Sequence, residues 1–143
     1  MTGTTIDVTS TLPAAGAYRL TIRLTRPVRL RVGALGTVAL PAGLYYYCGS
    51  ARRALPARVR RHLRRRKPKR WHIDYLLAHP AARVCDVRAW TDRTECQLVA
   101  SALKRGGRAV VAGFGSSDCR CHCPAHLLYM GPAEIGKDSP SPA

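Results

Sequence analysis

Carboxylates are what this chain has least of. Eight of its 143 residues are Asp or Glu, against 24 Lys and Arg, and the formal net charge is +16. No acid falls between Asp7 and Asp74, a stretch that holds sixteen of the cations, eleven of them from Arg52 to Arg70. The acids are Glu95, Glu134, Asp7, Asp74, Asp86, Asp92, Asp118 and Asp138, so any carboxylate chemistry must draw on that short set. A surface that is merely soluble intersperses its signs. Charge of one sign, twenty of the cations being Arg with a planar fork suited to phosphate, implies a polyanionic partner.

Other absences narrow the class. Met1 to Ser10 has neither the basic start nor the apolar run of a secretory signal, so a cytoplasmic protein is expected. The longest uncharged stretch, Gly33 to Ala51, is broken by four glycines, Pro41, Thr37 and Ser50, which excludes a membrane span. No internal repeat of solenoid period occurs. Cys-x-x-Cys spacing is also missing. The six cysteines (Cys48, Cys85, Cys96, Cys119, Cys121 and Cys123) read as thiols or metal ligands before they read as disulfides. What is present, 46% hydrophobic residues at this length, suits one packed domain able to bury roughly 68–70% of its unfolded surface.

The Thr/Ala-rich residues 1–15 and the Pro/Ser-rich residues 131–143 are expected to be flexible, leaving a working domain over 16–130. Tyr18, Leu20, Ile22 and Leu24 alternate with Arg19, Thr21, Arg23 and Thr25, predicting a half-buried strand with one basic face. Val28 to Val32, a turn at Gly33 to Gly36, and Thr37 to Leu40 continue a meander, and Leu44 to Gly49 forms a further strand. Leu55, Val59 and Leu63 predict a helix over 54–66, with His62 beside the apolar stripe, Arg58 and Arg65 at its border, and Arg60 and Arg64 outside it. A short helix over Ile73 to Ala78, a strand from Arg83 to Trp90 opening in imperfect alternation, and a helix capped by Thr91 or Asp92 and ended by Gly106-Gly107 complete the pattern. The expected class is α/β, a small mixed and largely antiparallel sheet flanked by helices.

On residue type alone, Tyr18 and Tyr47 are core aromatics with satisfied hydroxyls. Glu95 faces the arc of Leu98, Val99, Ala102 and Leu103 and so needs a partner: a capping box with Asp92, an arginine, or a metal ion. Cys119, Cys121, Cys123 and His126, with Cys96 brought in by the fold, could bind zinc or could form a loop of reduced thiols. The cations Arg52, Arg53, Arg60, Arg61, Arg64, Arg65, Arg66, Lys67, Lys69 and Arg70 repel one another unless a polyanion screens them, and they are the expected nucleic-acid contacts. Trp71, beside them, either stacks on an unpaired base or packs in the core.

The ordered series Gly16-Ala17-Tyr18, Tyr47-Cys48-Gly49-Ser50-Ala51, Arg58 and His62 four apart on one helix, and a helical Glu95 resembles the GIY-YIG nuclease superfamily. Within it, Leu30 to Gly36, Trp71 to Leu77, Glu95-Cys96 and Gly113 to Cys121 look like the small Uri-type branch, so the likeness spans nearly Gly16 to Met130. The middle residue of each name motif differs, and the 29 positions from Tyr18 to Tyr47 are more than in the homing and repair members. The resemblance implies hydrolysis of a DNA phosphodiester, RNA not being excluded. It implies Tyr18, Tyr47, Arg58 and His62 around the scissile phosphate and Mg²⁺ or Mn²⁺ on Glu95. A tyrosine general base requires positive charge that favours phenolate, which Arg58 could supply. The alternatives are a catalytically silent nucleic-acid-binding module of the same fold and a basic adaptor for RNA or another acidic partner.

Overall fold

Alternation along residues 16–24 commits one face of the first strand to the interior, and the rest of the molecule is arranged about that strand. The computed structural model describes residues 11–116, 119 and 121–132. Residues 1–10 and 133–143 of the expected flexible ends lie outside the described residues, as do Asp118 and Arg120. The elements are β1 (Gly16–Leu24), β2 (Val28–Arg31), a 3₁₀ turn (Gly33–Leu35), β3 (Thr37–Leu40), β4 (Gly43–Ala51), α1 (Leu55–Leu63), α2 (His72–Leu77), β5 (Ala82–Trp90), α3 (Glu95–Lys104) and β6 (Leu127–Gly131). A four-stranded sheet has the order β5-β1-β4-β6 with every pairing antiparallel, and β2 and β3 form a separate hairpin. The expected α/β class, a largely antiparallel sheet with helices on its faces, is what the chain adopts.

The first layer of core joins the inner row of β1 (Tyr18, Leu20, Ile22, Leu24) to Tyr45 and Tyr47 of β4 and to the buried faces of α1 and α2. A second, smaller core lies on the opposite sheet face, where Leu98, Val99 and Ala102 of α3 cover Ala17, Cys48 and Leu128. Tyr46 and Cys48 therefore face α3 while Tyr45 and Tyr47 face the main core, as the two-residue period of β4 requires. No helix among the described residues is long and apolar enough to cross a membrane.

Several sequence expectations need correction. The meander does not continue in one sheet, because β1 takes β4 and β5 as neighbours and leaves β2–β3 to pack over the core edge. Helix α1 stops at Leu63, not residue 66, and Arg64 is extended (φ −77°, ψ 131°). Beyond Val59 and His62 there is no further apolar residue to bury, Leu63 itself is 42% exposed, and Pro68 bars continuation. The cap of α3 is Thr94, whose hydroxyl accepts from Gln97 N (3.1 Å) while the Gln97 side chain accepts from Thr94 N (2.9 Å). Glu95 is thus the first residue of α3, not the third of a box with Asp92. Strand β6 has no counterpart among the expected elements. The irregular alternation of β5 is a β-bulge: Thr21 pairs with Asp86 and Ile22 with Val84, so Cys85 is the extra residue.

Candidate functional site

Tyr18 of β1 stands directly opposite Gly49 of β4. A Cβ on Gly49 would lie 2.6 Å from Cζ and Oη of Tyr18, so glycine is what lets the ring lie across the neighbouring strand. The Tyr18 hydroxyl meets Nε2 of His62 at 2.7 Å, and the Tyr47 ring sits edge-on to His62 at 5.8 Å between centroids. His62 also contacts Trp71 at 5.7 Å, and Arg58 and Arg61 hold their guanidinium groups 4.9 and 4.5 Å from that indole. Arg58 Nη1 donates to the Ser50 carbonyl (2.9 Å), the Ser50 hydroxyl donates to Glu95 Oε1, and Glu95 Oε2 lies 3.1 Å from His126 Nδ1. Tyr18, Tyr47, Arg58, His62 and Glu95, far apart in the chain, are joined by these contacts into one region where β1, β4, α1 and α3 approach.

Burial decides the protonation of this region. It pushes the Tyr18 hydroxyl well above its ordinary range, against the smaller opposing effect of Arg58. It also raises Tyr47, with the neighbouring Tyr18 hydroxyl and Glu95 adding to the shift. Desolvation lowers His62 to about 3, so its imidazole is neutral near pH 7. The positive charge beside Tyr18 does not overcome burial, and both tyrosines are neutral phenols suited to donating hydrogen bonds rather than to serving as phenolate bases.

The basic run divides into two groups. Arg61 donates to both oxygens of buried Asp74 (2.9 and 3.0 Å) and to the Pro68 carbonyl (2.8 Å). Arg65 donates to the carbonyls of His79 (2.9 Å) and Ala82 (3.1 Å), and Lys67 to those of His62 (3.0 Å) and Arg64. Of these three, all expected as nucleic-acid contacts, Arg61 ties α1 to α2, Lys67 folds the following segment back onto the end of α1, and Arg65, itself exposed, ties that segment to the start of β5. Arg52, Arg53, Arg60, Arg64, Arg66, Lys69 and Arg70 are exposed as well. A second basic surface lies on the opposite face, where Arg19 is 4.1 Å from the Tyr46 ring and 5.4 Å from Trp90, with Arg93 against Trp90 and Arg105 against Tyr46. The alternating arginines of β1 signalled it.

A cysteine–histidine group lies next to Glu95. The ligand atoms of Cys96 in the first turn of α3, of Cys119 and Cys123 in the loop before β6, and of His126 beside that strand all fall within 4.8 Å of one another, an arrangement that could hold a metal ion. Cys121, expected among the ligands, is exposed and outside the group; its backbone N–H donates to Cys119 Sγ (3.4 Å). Its amide caps the neighbouring sulfur. Burial works against ionising Cys119, but backbone N–H groups of Cys123 and Cys121 and the His126 side chain outweigh it and bring the thiol down to about 6. His126 is 3% exposed, and its Nε2 has no hydrogen-bond partner among the described residues. The loop is anchored from both sides: Gly115 N donates to His72 Nδ1 (2.9 Å), Gly113 N to the Pro124 carbonyl (2.8 Å) and His126 N to the Phe114 carbonyl (2.7 Å), with Phe114 fully buried. Gly113 and Gly115 both take positive φ (82° and 73°), which lets so short a segment reverse over Tyr47.

No curated protein and no solved structure matches the chain. Residues 17–139, which take in all of β1 but Gly16, every later element to β6 and both residue groups above, match one family, and the chain belongs to it: the domain of unknown function DUF123.

Proposed function

We propose that the protein is a GIY-YIG-type endonuclease, hydrolysing DNA phosphodiesters with the help of a divalent cation. The observation that carries this reading is the joining of Tyr18, Tyr47, Arg58, His62 and Glu95 into one region beside a cationic rim with no exposed acid of its own between residues 52 and 70. Arg58 is the group that would face charge developing on phosphate oxygens, and its anchor on the Ser50 carbonyl holds it in place before substrate arrives. Neutral Tyr18 and Tyr47 would orient phosphate or water by hydrogen bonding, with His62 as the polar partner of Tyr18. Glu95, 27% exposed at its side chain, offers a hard oxygen ligand to Mg²⁺ or Mn²⁺ once the Ser50 hydroxyl yields Oε1. Such an ion would supply Lewis-acid stabilisation of the phosphate.

The Cys96, Cys119, Cys123, His126 set is a zinc donor set, with sulfur and imidazole in the three-to-one ratio of closed structural sites. The Cys96 to Cys119 sulfur separation of 3.6 Å fits the edge of a tetrahedron built on Zn–S bonds of about 2.3 Å. All six cysteines are free, which suits the reducing cytoplasm as the place of action.

A second reading, a nucleic-acid-binding module that does not cut, is favoured by one observation: Tyr18 and Tyr47 are 1% and 8% exposed. One experiment separates the two. Supercoiled plasmid and branched and single-stranded DNA are incubated with wild type, Tyr47→Phe and Glu95→Ala, with and without Mn²⁺. The nuclease reading expects Mn²⁺-dependent cleavage that falls at least about 100-fold in Glu95→Ala, the scale of losing one electrostatic stabiliser. Equal cleavage by wild type and Glu95→Ala, or binding without cleavage by any form, overturns it.

A further inference from the structure

Both oxygens of Glu95 are engaged, and on different sides. Oε1 accepts from Ser50, whose carbonyl in turn holds Arg58; Oε2 lies 3.1 Å from Nδ1 of His126. The other ring nitrogen of His126, Nε2, is buried without a hydrogen-bond partner among the described residues, and His126 belongs to the Cys96–Cys119–Cys123–His126 group. An orphaned buried nitrogen is costly unless something occupies it. A metal ion bound there removes that cost.

We propose that Glu95 is the carboxylate that orients His126 for metal binding, so that one side chain serves both the cysteine–histidine centre and the tyrosine–arginine region. This rests on the zinc reading above. Ligating histidines commonly donate their second N–H to a carboxylate, which selects the tautomer and fixes the ring. Here Nδ1–H directed at Glu95 Oε2 leaves the Nε2 lone pair for the ion. The three thiols give up their protons to solvent as they ligate, and Glu95 stays outside the coordination sphere with its charge retained. Glu95 and Cys96 are neighbours on the first turn of α3, so a bound ion fixes this turn through Cys96 directly and through His126 indirectly. The ion thereby sets where Oε1 points, toward Ser50 and Arg58. The carboxylate that the resemblance makes a catalytic metal ligand acquires a second, positioning task.

The test uses the full chain and a readout other than DNA cleavage. Zinc affinity is measured by competition with a chromophoric chelator for wild type, Glu95→Ala, Glu95→Gln and Ser50→Ala. Cobalt(II) spectra of each report the ligand set. The expected result is one zinc bound by wild type, affinity lowered about 10- to 100-fold in Glu95→Ala, and a smaller loss in Glu95→Gln, whose amide oxygen still accepts from Nδ1–H. Ser50→Ala is expected to bind as wild type does. The sulfur-to-cobalt bands should be alike in all four, because the ligands are unchanged. Unaltered zinc affinity in Glu95→Ala overturns the proposal. A changed cobalt spectrum does so too, since it would make Glu95 a ligand. Failure of wild type to bind zinc at all overturns the zinc reading itself and with it this one. Thermal melts of the metal-free forms separate loss of affinity from loss of folding, and Glu95→Gln serves if Glu95→Ala does not fold.

Discussion

Gly49 and His62 show how single residues set the centre of this protein. With Cζ and Oη of Tyr18 only 2.6 Å from where a Cβ would stand, Gly49→Ala must push a fully buried ring out of its seat. The expected cost is about 1–3 kcal/mol, read by urea denaturation, with the Tyr18–His62 hydrogen bond broken or lengthened. His62 makes its contribution through pH. In the unfolded chain it takes a proton near 6.5, whereas desolvation holds it neutral in the folded state down to about 3. Unfolding therefore takes up a proton between those values. Stability is whole above 6.5 and falls as pH drops, by up to about 1.4 kcal/mol per pH unit from this group. Denaturation midpoints measured from pH 7 to 4 should show that slope in wild type and lack it in His62→Gln. The same buried position explains why this histidine is legible from its place beside the stripe of α1 but its neutrality is not: the charge state depends on Trp71 and both tyrosines closing over it.

The segment between α1 and α2 shows what a run of like charges does when it is partly structural. Asp74 is fully buried, and it accepts from two Arg61 nitrogens and from the backbone N–H groups of Arg70 and Trp71. Burial alone would raise its pKa, but these donors outweigh it and hold the carboxyl below its ordinary value. Its stabilisation is therefore present above the usual carboxylate range and is lost as pH falls below about 4, a window lower than that of His62. Asp74→Ala should cost about 3–5 kcal/mol, because Arg61 would be left partly buried without its counter-charge. Denaturation of this variant against Arg66→Gln, an exposed residue of the same run, checks the contrast. For α3, the sequence carried a correct capping signal two or three residues beyond those expected, Thr94 with Gln97, and Thr91 or Asp92 competed with it on residue type alone. Strand β6 was hidden for a different reason. Leu127 and Leu128 are both buried, on opposite faces of the sheet, so no apolar–polar alternation marks them.

At the scale of the molecule the +16 charge lies on two faces, with part of it engaged in the fold's own hydrogen bonds. Arg60, Arg64 and Arg66 are exposed on the α1 side, half-buried Arg19 lies among its aromatic neighbours on the other, and Arg61, Lys67 and the exposed Arg65 donate to carboxylate and carbonyl groups of the fold. The proposed binding to a DNA duplex should weaken steeply with salt, and replacing Arg60, Arg64 and Arg66 with Gln should reduce the log–log slope by up to about 2.7, at roughly 0.9 for each phosphate no longer neutralised. Arg61→Gln, which removes a charge already paired with Asp74, should leave that slope nearly unchanged and lower the melting temperature instead. Metal removal belongs at this scale too. The cysteine–histidine group joins α3 to the loop that covers Tyr47 and leads into β6, so chelation of the proposed zinc should lower the melting temperature, and added zinc should restore it in proportion to the logarithm of free metal.

By itself the sequence determined the α/β class, the inner row of β1, the basic rim and the residue types available for chemistry, because two-residue and 3.6-residue periods and net charge are local properties of a chain. Only the tertiary structure decided which arginines are internal ties, which four of five candidate ligands meet, and that Glu95 faces His126 on one side and Ser50 on the other. Those facts rest on partners as far as 45 positions apart, where no periodicity reaches. They rest also on burial, which turned the expected phenolate bases into neutral hydroxyls by a desolvation that Arg58 does not offset.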